Sequence, residues 1–192
     1  MADIHKIRRD LEKELKKERY DHTLGVMYTA SSLAMVYDVN LDQALLAGLL
    51  HDCAKNYSIS DQLKMAKKHH IELTQSEREM PALIHAKLGA YLAKHTYGVH
   101  DQAVLNAITY HTTGKAKMTM LEKILYIADY IEPGRDRLET LPIIRKIAFT
   151  DIDKAVFMVS EATLNFLKKT GRKVDHATEV TYEYYKNVIR TR

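Results

Sequence analysis

The sequence predicts an all-α protein, a bundle of helices, and three observations predict it. Only 3 prolines and 7 glycines interrupt its 192 residues, and no strand-like alternation persists beyond a few positions. Apolar residues recur instead at three- and four-residue spacing, the period of one helix face. Hydrophobic residues make up 46% and charged residues 28%, the mixture of a globular chain rather than a disordered one. The length suits a single domain over 1–192 with a sizeable core.

Each element follows from local signals. Residues 3 to 19 read as a charged amphipathic helix carrying Ile4, Ile7, Leu11 and Leu15, so the domain opens with a charged N-terminal helix within 1–19. Helices over 21 to 37 and 41 to 53 follow, the latter with Asn40 as N-cap and Gln43 three residues on. A helix over about 60 to 70 carries Leu63, Met65 and Ala66. Ser76 to Glu79 has capping-box spacing, and Pro81 opens a helix running to about Thr96. Residues 100 to 110 form the next. Thr119 with Glu122 opens another that Pro133-Gly134 closes. Short helical material over 141 to 148 leads to a long helix over 151 to 170, ended by Gly171, and a last helix covers 177 to 190. That C-terminal segment, 176–192, is expected to pack on the domain.

Several classes are disfavoured. No apolar run approaches the roughly 20 residues that cross a bilayer, and Met1 to Arg19 holds no apolar signal segment. The lone cysteine, Cys53, fits a reducing compartment, so a cytoplasmic protein is expected. The formal charge of +4 is modest and both signs are interleaved, which argues against a nucleic-acid-binding stripe and is compatible with a small anionic substrate. The charged first helix is also a surface suited to self-association, so a homodimer stays open.

The chain is organised around Leu45-Leu46-Ala47-Gly48-Leu49-Leu50-His51-Asp52-Cys53-Ala54-Lys55. An apolar helical run stops at adjacent His51 and Asp52. Helical neighbours point about 100° apart, so the two converge only on an object off the helix end or between their directions. A metal ion fits, because imidazole nitrogen and carboxylate oxygen both ligate. Other inward-pointing groups accompany the pair. His22 shares a face with Val26, Ala30 and Leu33, His85 with Leu88, Gly89 and Leu92, and His111 with Val104 and Ile108. Asp129 sits beside the stripe of Leu121, Leu125 and Ala128. A lone histidine on such a face is more often a hydrogen-bonded core residue than a ligand. Five groups on five helices need one shared explanation, and a buried cation neutralises the carboxylates while accepting the imidazole nitrogens. His5, His69, His70, His95 and His100 lack that setting.

In order, His22, the His51-Asp52 pair, His85, His111 and Asp129 resemble the HD-domain metal-dependent phosphohydrolases, in which a histidine, a His-Asp pair and a distant aspartate hold a metal from separate helices. The stretches Arg19-Tyr20-Asp21-His22-Thr23, Gly48 to Lys55, His85 to Ala90, Tyr110-His111-Thr112-Thr113-Gly114 and Ala128 to Arg135 look like the YqeK branch, and the similarity runs from about residue 15 to 190. The resemblance implies an HD-domain helical bundle with the metal at its centre. It implies symmetric hydrolysis of diadenosine tetraphosphate to two ADP with bound iron, although manganese would suit the same donors. It further implies His22, His51, Asp52 and Asp129 as ligands, with His85 and His111 on a second metal that Asp52 bridges. Many dinuclear relatives carry a further histidine where this chain has Thr112. Without a second ion, His85 and His111 read as donors to phosphate oxygens.

The same resemblance makes Asp52, Lys55, His85, His111 and Arg135 the catalytic group. Lys55 and Arg135 would meet phosphoryl charge, though each is also an ordinary surface cation. Gly171, Arg172, Lys173 and His176 form a loop that contacts nucleotide in the branch; it is equally a helix cap followed by a charged turn. Gly25 would allow close approach of substrate beside His22, or serve helix packing. Thr112 is expected beside the substrate. Two alternatives keep part of this reading: the same metal site acting on other nucleotides, or a nucleotide sensor without turnover.

Overall fold

The computed structural model describes residues 2–136 and 139–192, and among them there is no strand. Eleven α-helices run in chain order among the described residues: α1 (Ile4–Glu14), α2 (Lys17–Val36), α3 (Leu41–Leu50), α4 (Ile59–Lys68), α5 (Gln75–Glu79), α6 (Ile84–His95), α7 (Gln102–Tyr110), α8 (Met120–Ile131), α9 (Leu141–Ala148), α10 (Ile152–Lys169) and α11 (His176–Arg190). Short 3-10 helices occupy Cys53–Asn56 and Pro81–Leu83.

Helices α2, α3, α6, α7 and α8 make the bundle that carries the site. α2 packs on α3 and α8, and α7 packs on α3, α6 and α8. Their shared seam is apolar: Val26, Ala30, Leu33, Ala47, Leu50, Leu88, Ile108, Leu125 and Ala128 are all fully buried. Burying one of the larger of these side chains is worth about 1.5–3 kcal/mol, so the seam fixes the five helices relative to one another. Gly48 sets the α2–α3 approach, since a Cβ there would lie 2.6 Å from Met27 Cα. The last three helices form a flank, with α10 against α8, α9 and α11. α11 also braces the loop after α7: Tyr185 Oη accepts from the Met118 N–H, and the Thr181 hydroxyl donates to Thr113 O.

Four features differ from the sequence reading, one being that Pro81 opens a short 3-10 turn, Pro81–Leu83, and the α-helix expected from it starts at Ile84. The first helix ends at Glu14, not Arg19, because Leu15 turns extended and buries its side chain. α2 therefore begins at Lys17, which puts Arg19 on it, one turn ahead of His22. The capping box before α5 is Thr74 with Glu77, not the Ser76 to Glu79 spacing; both reciprocal bonds are present. The helix expected over 41 to 53 stops at Leu50. His51 keeps helical dihedrals, but Asp52 leaves them at φ −110°, ψ 15°. That departure turns the Asp52 carboxylate to the side the His51 ring faces, with Oδ2 3.5 Å from His51 Nε2. The Asn40 cap, the Thr119–Glu122 capping box and the Gly171 terminus occur as expected.

Candidate metal centre

The five bundle helices deliver six side chains to a common centre: His22 from α2, His51 and Asp52 from the end of α3, His85 from α6, His111 from the end of α7 and Asp129 from α8. His51, Asp52, His85 and His111 are buried, none more than 2% exposed. The carboxylate of Asp52 divides the histidines into two pairs. Its Oδ2 lies 3.5 Å from His51 Nε2 and 3.9 Å from His22 Nε2. Its Oδ1 lies 3.5 Å from His85 Nε2 and 3.6 Å from His111 Nε2. Asp129 Oδ1 closes the first pair, 3.0 Å from His22 Nε2 and 3.9 Å from His51 Nε2.

The second ring nitrogens say how the imidazoles are aimed. His51 Nδ1 donates to Gly48 O, His85 Nδ1 to Ala82 O and His111 Nδ1 to Ile108 O, at 2.6–2.7 Å. Each acceptor is three residues upstream on the same stretch, so the local backbone orients its own histidine. A carbonyl only accepts, hence in the neutral ring the proton sits on Nδ1 and the Nε2 lone pair faces inward. Burial pushes His51 down to about 4 and His85 to about 3, which keeps both rings neutral. Burial pushes Asp52 and Asp129 up, but their polar partners, Lys55 beside Asp52 and His22 against Asp129 among them, outweigh it and hold both below the usual carboxylate range.

The result is a crowd of inward-facing ligand atoms, only some of which find partners. His85 and His111 bring their Nε2 atoms to 3.3 Å, and His22 and His51 to 3.4 Å. Thr112 Oγ1 is 3.1 Å from both His85 and His111, with one proton for the two. The buried Asp52 Oδ1 has no hydrogen-bond partner among the described residues. Facing lone pairs beside an orphaned carboxylate oxygen are unfavourable alone and are what a divalent cation requires. Two sets of three ligand atoms lie within metal-binding reach: His22, His51 and Asp129, and His51, Asp52 and His111.

Two clefts flank the centre. One of about 700 Å³ is polar, lined by Arg19, His22, Lys55, Tyr57, Glu132 and Arg135 among others. The other, about 560 Å³, is lined by Leu83, Ala86, Tyr110, Thr112, Lys115, His176 and Val180 among others. Lys55 Nζ lies 3.9 Å from Asp52 Oδ1, and Arg135 Nη2 donates to Asp129 Oδ1 at 3.1 Å. His176 reaches the second cleft, but Gly171 and Arg172 line neither. Lys173 pairs with Glu79 at the surface, and Arg172 lies over the Phe166 ring. Gly25 lines neither cleft and backs onto Glu132 instead.

Sequence reasoning passed over two residues. Arg19 donates to Asp52 Oδ2 at 2.6 Å. Glu132, 3% exposed, accepts from His22 Nδ1 at 3.0 Å and from the Gly134 N–H at 2.6 Å. Arg19 sat in a dense charge run and Glu132 at an apparent helix end; a buried acid next to Pro-Gly was the one available signal.

A helical bundle that gathers imidazoles around a buried His-Asp pair, with a late aspartate on another helix, defines the HD class of metal-site domain. Residues 19–134 match the model of the HD domain, and the chain belongs to that family. More particularly, it falls with the symmetrical bis(5'-nucleosyl)-tetraphosphatases of that family. It is 37% identical to the protein of that name from Bacillus subtilis (strain 168), over 91% of this chain and 92% of the relative. It is 35% identical to the one from Staphylococcus aureus, over 95% and 94%. A solved structure, a predicted HD superfamily hydrolase involved in NAD metabolism from Clostridium acetobutylicum, superposes with a TM-score of 0.93 at 39% identity, covering 97% of this chain and 98% of that one.

Proposed function

We propose that this chain hydrolyses diadenosine tetraphosphate symmetrically, to two ADP, at a metal centre held by His22, His51, Asp52 and Asp129. Support comes from relatives of that name across nearly the full length. The observation that carries the chemistry is Asp52, whose two oxygens face separate histidine pairs while Oδ1 stays unpartnered.

A divalent metal held here would lower the pKa of water toward neutrality and polarise a phosphoryl oxygen. Imidazoles and carboxylates suit iron, our preferred ion, and also manganese. His85 and His111 donate from Nδ1 to backbone carbonyls, so in its neutral form neither ring has a proton at Nε2 for a phosphate oxygen. This favours their holding a second ion, with Asp52 between the two, over acting as phosphate donors. Thr112 then orders the rings from the neighbouring cleft.

Arg19, Lys55 and Arg135 carry fixed positive charge into the polar cleft, where the polyphosphate gathers negative charge as the bond breaks. Arg135 is held by Asp129 and Arg19 by Asp52, so both guanidiniums are oriented before substrate arrives. The less polar cleft beside Tyr110, Val180 and His176 suits a nucleoside. Gly171, Arg172 and Lys173 lie beyond its wall and would meet only a substrate end that extends past it.

No helix among the described residues is long and apolar enough to cross a membrane. We place the protein in the cytoplasm, acting on a nucleotide rather than nucleic acid, and leave a homodimer through the charged α1 as compatible. Incubation of metal-defined protein with diadenosine tetraphosphate, with Asp52→Ala as control, tests the reading. ADP as sole product, lost in the variant, is expected; ATP plus AMP, or no turnover with any metal, would overturn it.

A further inference from the structure

Glu132 is a buried carboxylate that ligates nothing in the centre, yet the chain makes unusual room for it. It sits past the end of α8, and the turn that carries it is clamped by Arg145, whose guanidinium donates to Ile131 O, Glu132 O and Arg135 O at 2.7–2.9 Å. Its two oxygens divide their work. Oε1 accepts from His22 Nδ1, and Oε2 accepts from the Gly134 N–H. Gly25 lies three residues past His22 on α2, and a Cβ there would stand 2.4 Å from Glu132 Oε2. One at Gly134 would stand 3.0 Å from the same atom. Two missing side chains thus form the cradle for one carboxylate.

His22 differs from the other three histidines of the centre. Each of those fixes its ring on a carbonyl three residues upstream; His22 has a carboxylate from the turn after α8, 110 positions away. Its Nε2 faces Asp129 at 3.0 Å, so without Glu132 the proton would be free to settle between those two atoms. An anion at Nδ1 holds the proton there, leaves Nε2 as the ligating lone pair and raises the basicity of the ring.

We propose that Glu132, seated in the Gly25–Gly134 cradle, is a positioning residue that aims His22 Nε2 at the metal. Its own hydrogen bonds go to His22 and to the Gly134 N–H, and it is assigned no place among the metal's ligands. This rests on the reading of His22 as a ligand, and it assigns Gly25 to the carboxylate rather than to substrate approach.

The test measures Mn²⁺ affinity by chelator competition for wild type, Glu132→Ala, Glu132→Gln and Gly25→Ala. Gly25→Ala keeps every ligand and every charge, and alanine is the better helix former, so a purely structural role predicts unchanged or firmer folding with normal affinity. The proposal expects Gly25→Ala and Glu132→Ala to bind Mn²⁺ about 10–100-fold more weakly. Glu132→Gln, which keeps one acceptor, should fall between them and wild type. With Zn²⁺ in the site, the imidazole NMR signal of the His22 Nδ1 proton should be slow to exchange in wild type and lost in Glu132→Ala. Helical circular dichroism of each metal-free variant separates misfolding from misaiming. Wild-type affinity in folded Gly25→Ala and Glu132→Ala overturns the proposal while leaving the metal reading intact. Wild type that takes up no Mn²⁺ sinks the metal reading itself, and the proposal with it.

Discussion

Arg19 Nη1 donates to Asp52 Oδ2 at 2.6 Å, although the two residues lie 33 positions apart and Arg19 is partly open to the polar cleft. One guanidinium therefore touches both the carboxylate between the histidine pairs and the space a polyphosphate would fill. Replacing Arg19 with Ala leaves every proposed metal ligand in place. We expect kcat/KM to fall on the order of 10²-fold, the usual cost of losing one preorganised donor, with metal content retained. Lysine should recover part of it, lacking the two-pronged geometry. Steady-state kinetics with metal analysis checks this; wild-type kinetics in Arg19→Ala would remove it from the machinery.

Metal removal should be felt by the fold as well as the reaction. The proposed ligands come from five helices, so an ion bound only by the native state would stabilise it by about 2.7 kcal/mol at a hundredfold excess over Kd. For a chain of this size that corresponds to roughly 5–10 °C in Tm. Thermal unfolding with chelator and then with restored Mn²⁺ should show the shift, and Asp52→Ala should not. Equal shifts in both proteins would place the ion elsewhere.

The metal-free protein should be sensitive to acid. Burial holds His51 at about 4 and His85 at about 3, below the ordinary value near 6.5 that both regain on unfolding. Below about pH 6.5 the unfolded chain therefore binds more protons, and stability falls as pH drops toward those values. His22 acts oppositely. Burial lowers it, but hydrogen bonds and charge from Asp129 and Glu132 raise it overall, so its contribution is present in acid and lost as pH rises. Two rings outweigh one. The unfolding free energy of stripped protein, read from urea titrations, should decline from pH 7 to pH 5. A free energy that is level or rises on acidification would contradict the neutral, inward-facing rings.

How much of this the sequence disclosed depended on contrast. His22, His85 and His111 stood out because each continues an apolar stripe, and Asp129 because it lies beside one. Their convergence is visible in the fold as five helices sharing one seam. Arg19 did not stand out among Lys16, Lys17 and Glu18, and the α1–α2 break at Leu15 that aims it inward carries no Gly or Pro. Glu132 read as a polar helix end, since its burial depends on Gly25, 107 positions earlier, and on Arg145. The 171–176 loop shows the converse. Its composition suited an anion, but Lys173 pairs with Glu79 and Arg172 lies over Phe166, contacts that local pattern does not encode.

Gly48 ties stability to the site. It lies three residues before His51, whose Nδ1 it receives on its own carbonyl, and its Cα faces the α2 backbone. An alanine Cβ there would stand 2.6 Å from Met27 Cα and 3.0 Å from Met27 N, and those atoms belong to a helix backbone that cannot rotate aside. Helix propensity favours alanine by about 1 kcal/mol. Overpacking of this kind costs about 1–3 kcal/mol or more, and a backbone clash belongs at the upper end. The clash wins. Gly48→Ala should lower Tm by several degrees, and the relief available to the chain is to move α3 away from α2. That separates His51 and Asp52 from His22, which sits on the opposing helix 3.4 Å from His51. Metal affinity should therefore drop together with Tm, whereas a core substitution outside the seam, such as Ile144→Val on α9, should lower Tm alone. Chelator competition and thermal unfolding on both variants separate the two behaviours. Normal Mn²⁺ affinity in Gly48→Ala would mean that the α2–α3 spacing does not set the His22–His51 distance.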